Sequence, residues 1–452
     1  MTGVGDRAQT AAPAATGWLG RCRAAFLLEP WFAPFALVNA AGVGLSPILL
    51  PATAARYGLG HVGLVMGAFN FGAIAAPLAG NLADRFRVYR VLASVFAAVA
   101  AVALWLFPSA AQDVQVLLGF CEGAGFAGAL TVANLLIIER RPREQWNVRL
   151  GWLETTLSVG QAGALFLAAW LSGLSARSAL ELGAIVPAAA IPLALLLIPR
   201  MQRASRQPPP APGPPAGGHR LAPGGQVGEW GPASPSRVAH ARRRRRQLAN
   251  LPALLRGGFG WMLAAWIPAY AGTAVVFALY PVLFLHAFGV STRVSALAFA
   301  FIVFISLPLY VLAGRICQRL GPARIIGGAL AGRVILLSAL AAFAAVGHIA
   351  VWLPLAAFAG VMCAWSFLSV ASPALTGQLK PEAEGDAQGL LNASSGLAGL
   401  LGSVAGGLIA SHWGYPAALA SAAGFVAAGL IILTATTLRR RSGSAASPVM
   451  NP

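Results

Sequence analysis

Gly80, Arg85 and Arg90 recur as Gly314, Arg319 and Arg324, each pair 234 positions apart, and Pro47 recurs as Pro281 at the same offset. Four matches in one register mark an internal duplication, so the chain must fold as two copies of one unit. Both copies of the Gly-to-Arg segment stand between long apolar stretches. The first reads Gly80-Asn81-Leu82-Ala83-Asp84-Arg85, and the second reads Gly314-Arg315-Ile316-Cys317-Gln318-Arg319, with a neutral amide where the first has its acid.

What each unit is made of follows from composition. Hydrophobic residues form 58% of the chain and charged residues 10%, against roughly 45–50% and about 25% in soluble domains. A bilayer-spanning helix needs roughly 20 apolar residues. Apolar runs between polar punctuation place spans near 31–53, 60–83, 89–109, 114–138, 147–172 and 178–199, then 258–285, 291–314, 323–346, 349–377, 385–411 and 413–436. The expected fold class is an all-α membrane protein of twelve transmembrane helices in two pseudo-symmetric six-helix halves. The organisation is an N-terminal segment 1–30, a first half 31–199, a linker 200–256, a second half 257–436 and a tail 437–452.

The net charge of +19 is distributed by topology. Arg56, Arg177 and Arg293 fall in loops on one face and Arg333 within a span; the remaining Lys and Arg, of 32 in all, fall on the other face. That asymmetry places both termini and the linker in the cytoplasm. It also accounts for the basicity without nucleic acid as a partner. The linker contains Pro208-Pro209-Pro210 and, further on, the run Arg242 to Arg246. Such sequence cannot bury a core, and arginines beside a bilayer meet anionic lipid headgroups. Lys380 is the sole lysine, and Ala and Gly are abundant, as in GC-rich bacterial genomes; the expected location is the bacterial inner membrane. No cleaved signal is read at the N-terminus, so the first span is expected to insert the chain. The cysteines Cys22, Cys121, Cys317 and Cys363 are scattered without ligand spacing and are expected as free thiols. No phosphate loop or His-Glu-x-x-His run is present, so no enzymatic chemistry, cofactor or metal is expected.

Two six-helix halves, a long linker, and Gly80, Asp84, Arg85 and Arg90 after the second span together resemble the major facilitator superfamily of secondary transporters over about residues 31 to 436. Arg87 stands where that motif usually has glycine. The resemblance implies alternating access by a monomer carrying a small-molecule substrate. It further implies a cytoplasmic latch, in which Asp84 meets the N-terminal end of helix 11 around Asp386 to Gly389, and Gly80 lets helix 2 approach its neighbour. Asp84 balancing Arg85, Arg87 and Arg90 for topology is the plainer alternative. The second copy, Gly314, Arg319 and Arg324 with Gln318, is expected to latch more weakly. Gly151 and Gly160 resemble the opening of the glycine-rich helix 5 signature of family antiporters, but Ala164 interrupts its later part. Glycines 160, 163, 396, 399, 402, 406 and 407 are expected to pack helices 5 and 11 closely.

Ionisable residues inside spans are candidates for function, because burying a charge is costly unless it is paired or hydrated. Glu122 is a candidate proton or cation site, or a structural hydrogen-bonding group. Glu154 is a candidate charge site, or one half of a near-surface salt bridge with Arg149 or Arg140. Arg333 either finds a structural partner, snorkels to the surface or binds an anion. Asn39, Asn70, Asn134, Gln161, Tyr270, Tyr280, Trp365 and Asn392 lie in spans that, by the resemblance, line a central cavity, where amides and aromatic rings suit an amphipathic solute. The first expectation is proton-driven export of a small organic compound. Uptake of a metabolite, proton-coupled or facilitated, is the alternative; a non-transporting membrane sensor is the alternative of another class.

Overall fold

The computed structural model describes residues 29–86, 88–140, 143–199, 255, 257–347, 349–380 and 384–445. All regular structure among them is helical. The first six helices are α1 (Pro30–Tyr57), α2 (59–86), α3 (Tyr89–Leu106), α4 (Gln112–Arg140), α5 (Arg143–Leu171) and α6 (Ala176–Leu197). The second six are α7 (Gly258–Phe288), α8 (Thr292–Leu320), α9 (Pro322–Val346), α10 (Trp352–Leu379), α11 (384–413) and α12 (415–445). Among the described residues, ten stretches are long and apolar enough to cross a membrane. The last of them, Ala387–Ala435, is two helices, because Gly414 at φ 80° turns the chain back on itself. α5 is as long as its neighbours at 29 residues, but Glu154 and Gln161 dilute its apolar character. Residues 1–28, the linker apart from residue 255, and residues 446–452 lie outside the described residues.

Helix ends follow local chemistry. Ser175 and Ser291 cap α6 and α8 by accepting from the amides of Ser178 and Val294, which occupies amides that a helix start leaves unpaired. Gly321, at φ 83°, ends α8 in a conformation only glycine adopts readily. The first part of each copy of the duplicated motif is therefore helical. Residues 80–86 continue α2 and residues 314–320 continue α8, because no helix breaker precedes Val88 or Gly321.

Helices 1–6 and 7–12 meet where α1 packs on α7, α2 on α11 and α5 on α8. The face carrying the first and last described residues is called here the terminal face and the other the distal face. Near the distal face the two halves share one apolar core, joining Ala40–Ala54 of α1, Val62–Phe69 of α2 and Ala162–Leu171 of α5 to the second half. Toward the terminal face the first half keeps a separate core, formed by Trp31, Phe35, Leu92, Leu136, Leu157 and their neighbours, with no residue of the second half. The halves are joined at one end and parted at the other. Large apolar side chains such as Leu196, Ile335 and Ile431 point outward, which suits a lipid surround and would be a liability in water.

The distal closure is made by small residues. A Cβ at Gly63 would stand 2.5 Å from Ser403 O, and one at Gly407 would stand 2.6 Å from Leu59 O. Backbone approaches of this kind need residues without side chains. Asn70 adds a polar tie, donating to Ser403 Oγ at 3.2 Å, and Phe166 meets Phe301 edge-on at 5.8 Å. Close packing holds for Gly160, Gly399, Gly402, Gly406 and Gly407, whereas Gly163 and Gly389 face open space and Gly396 makes only ordinary contact.

Candidate functional site: a cavity between the halves

Helix 1 is distorted where it borders the space between the halves. Residue 47 is proline and cannot donate a backbone hydrogen bond, and the turns before it, Ala40–Leu45, widen to π-helical geometry. In α-helical register the missing donor would have served Val43 O. That carbonyl accepts instead from Gln161 Nε2 of α5 at 3.2 Å. Wide turns of this sort concentrate at functional sites, and here Gly42, Val43 and Pro47 form part of a cavity wall.

The cavity has a volume of about 350 Å³. The first half contributes Asn39, Met66, Asn70, Phe126, Glu154, Ser158 and Gln161, and the second contributes Tyr270, Thr273, Phe277, Ser306, Tyr310, Met362 and Trp365. Its amides are largely engaged: Asn39 Nδ2 donates to Leu157 O at 3.0 Å, and Asn70 Nδ2 to Met66 O at 2.9 Å. Tyr270 stands between Trp266 and Trp365, at ring separations of 6.0 and 5.8 Å. The result is a mostly apolar chamber with an aromatic shelf on the second half. Thr273, Phe126, Ser306 and Tyr310 were not singled out in the sequence; Tyr310, two residues after Pro308 within α8, stood beside the one usable signal.

The structure gathers Asn39, Asn70, Gln161, Tyr270, Trp365 and Glu154 at this cavity and places the other candidates elsewhere. Tyr280 is buried in the second-half core, stacked on Phe358 at 4.2 Å and donating to Ser295 O at 2.8 Å. Asn134 and Asn392 are exposed and line no part of the chamber. Glu122 is sealed inside the first half. Its Oε1 accepts from Ser46 Oγ at 2.8 Å, and its Oε2 is buried without a partner. Gly119 and Gly123 on either side let α4 close against the backbones of Val65 and Phe69 of α2.

Glu154 makes no ion pair among the described residues, and the expected salt bridge to Arg149 does not form. Arg149 turns instead to Glu29 at the start of α1, 3.0 Å away, leaving the Glu154 carboxyl on the cavity wall. Arg333 does not snorkel. Its side chain points inward from α9 and is 1% exposed. Nη1 donates to Thr273 Oγ1 at 2.7 Å and Nε to Val361 O at 3.2 Å.

Both copies of the duplicated motif sit at the terminal face. The side chains of Asp84, Arg85 and Asp386 lie outside the described residues. A Cβ at Gly80 would make ordinary contact with Thr131 and Leu135 of α4 and none with α11, so the close approach expected of this glycine is absent. Gly314 likewise faces open space. Arg90 is half-buried, with Nε unpartnered, while Arg319 and Arg324 are exposed. Cys121, Cys317 and Cys363 are free thiols; Cys22 lies outside the described residues. No metal-binding cluster occurs among the described residues.

The sequence profile of the Major Facilitator Superfamily matches residues 32–354 and again 267–450. The chain belongs to the major facilitator superfamily. Solved structures of that fold overlay most of it. The nucleoside transporter NupG superimposes with a TM-score of 0.63 at 15% identity, covering 91% of this chain and 98% of its own. A D-xylose–proton symporter gives 0.65 at 15%, covering 92% and 97%. An inward-facing, occupied bacterial homologue of the human lysosomal transporter Spinster gives 0.64 at 15%, covering 93% and 97%. No curated protein matches the sequence. At such identities the likeness is one of fold, and in this superfamily fold the chamber described above is the space between the two halves.

Proposed function

We propose that this superfamily member is a proton-coupled exporter of a small amphipathic organic solute in the bacterial inner membrane, working by alternating access as a monomer. The observation that carries the reading is a chamber built from both halves, closed toward the distal face by a shared core and bordered toward the terminal face by a first-half core that contains no residue of the second half. Two rigid halves around one site can rock to open it to either side. Among the described residues, only Arg56, Arg177 and Arg293 bring positive charge to distal helix ends, which supports a cytoplasmic terminal face. The conformation is then inward-facing.

Glu154 is the proton-exchanging group in this reading. It is the acid on the chamber wall, whereas Glu122 is shut away behind α1 and serves to hold Ser46. The linker arginines contact anionic lipid. The purified chain in proteoliposomes and in energised inside-out vesicles tests the proposal. Export predicts that an acid lumen drives uptake of solute into inside-out vesicles. Accumulation only when the external medium is acid would indicate the uptake direction, and solute binding without any flux would indicate a sensor.

A further inference from the structure

We propose that the solute is an organic monoanion, a carboxylate on an apolar body, and that Arg333 is the group that recognises its charge. This rests on the transporter reading above and names its substrate class.

α9 contributes no residue to the chamber wall, yet Arg333 extends from it through the second half to the back of that wall. Two of its neighbours, Thr273 and Trp365, are themselves wall residues. Thr273 accepts from Nη1, and the Trp365 ring lies 5.7 Å from the guanidinium carbon. Nη2 is buried and has no partner. Among the described residues Arg333 makes no ion pair; the acids of the twelve helices with described side chains, Asp113, Glu122, Glu139, Glu154 and Glu181, all belong to the first half.

A guanidinium this deep in an apolar protein ordinarily keeps a counter-ion, since an unpaired buried charge is strongly unfavourable. Arg333 has instead a hydroxyl, a carbonyl and an aromatic face, which are neutral contacts. Its remaining donor suits a carboxylate, which the planar guanidinium fork can bind through two hydrogen bonds. Thr273 and Trp365 touch the guanidinium on one side and line the chamber on the other. The solute's body would rest on Tyr270, Phe277 and Met362. One cation serves one charge, and Glu154 on the opposing half disfavours a second negative group. Export of such an anion is assisted by the interior-negative membrane potential.

The test uses the full chain in nanodiscs and matched probes that differ only in charge: indole-3-acetate, indole-3-acetamide and tryptamine, and octanoate, octanamide and octylamine. Thermal unfolding and tryptophan quenching report binding. In at least one series the carboxylate should bind at least about tenfold tighter than its amide, the scale of a hydrogen bond to a charged group. Arg333→Gln should abolish that preference, and Arg333→Lys should keep part of it. The wild-type comparison stands alone if Arg333→Gln does not fold. If no carboxylate exceeds its amide in either series, the assignment is overturned. It is also overturned if a folded Arg333→Gln keeps the preference. Flux of a neutral or cationic solute without carboxylate preference sinks the charge assignment and leaves the transporter reading intact. Carboxylate binding without flux does the reverse.

Discussion

Gln161 of α5 donates its side-chain amide to Val43 O of α1 at 3.2 Å, serving the carbonyl that lies four residues before Pro47. A proline in one helix thus has its deficit met by an amide in another, and both sides of the exchange face the chamber. Gln161→Leu should leave the carbonyl unsatisfied and cost about 1–3 kcal/mol of stability. A lowered unfolding midpoint, with transport impaired beyond what the loss of folded protein explains, would bear this out. An unchanged midpoint would show that water takes over the role.

The two membrane carboxyls should separate cleanly by substitution. Glu154→Gln removes the chamber's acid and should abolish pH-driven flux while leaving solute exchange at equal pH intact. Glu122→Gln keeps a partner for Ser46 and should transport normally. Glu122→Leu should lose about 1–2 kcal/mol as a hydrogen bond is broken inside the first half. Normal pH-driven flux in Glu154→Gln would transfer the proton role elsewhere.

The distal closure depends on bare backbones. Gly407→Leu places a side chain where Leu59 O stands 2.6 Å from even a Cβ. Overpacking of this order costs about 1–3 kcal/mol, enough to shift a two-state balance roughly tenfold toward a distally open form. Spin labels at residues 60 and 408 should report a longer distance than in the unsubstituted chain.

Asp84→Asn addresses the latch. If Asp84 latches the outward-facing state, as the family resemblance implies, neutralising it should enlarge the inward-facing population, seen as greater labelling of a cysteine at residue 158 from the terminal side. An unchanged balance would leave Asp84 with a topological role alone.

Tyr280→Phe should cost about 1 kcal/mol through loss of its bond to Ser295 O, with solute affinity unaffected. Tyr270→Phe, on the chamber shelf, should change affinity more than stability. Equal effects of both on affinity would mean that the second-half core relays to the chamber.

Length, apolar runs and charge placement were sufficient for the fold class, because a bilayer admits few solutions and each helix must meet its own backbone hydrogen bonds. The duplication carried the halves, whereas the sharp helix breaks fall at positive-φ glycines such as Gly321 and Gly414. Which polar residues face the chamber was another matter. Tyr270 and Tyr280 share α7 and differ by ten residues, yet one lines the cavity and the other packs on Phe358. At about 100° per residue, ten steps turn the side chain to a different face of the helix, and only the packing of neighbours says which face is inner. Likewise a span containing Arg333 reads the same whether the side chain snorkels or turns inward. The tertiary structure decided that, by setting Thr273, Val361 and Trp365 around the guanidinium. Helix rotation and long side-chain reach depend on contacts between segments far apart in the chain, and those contacts leave no periodic signature in the sequence.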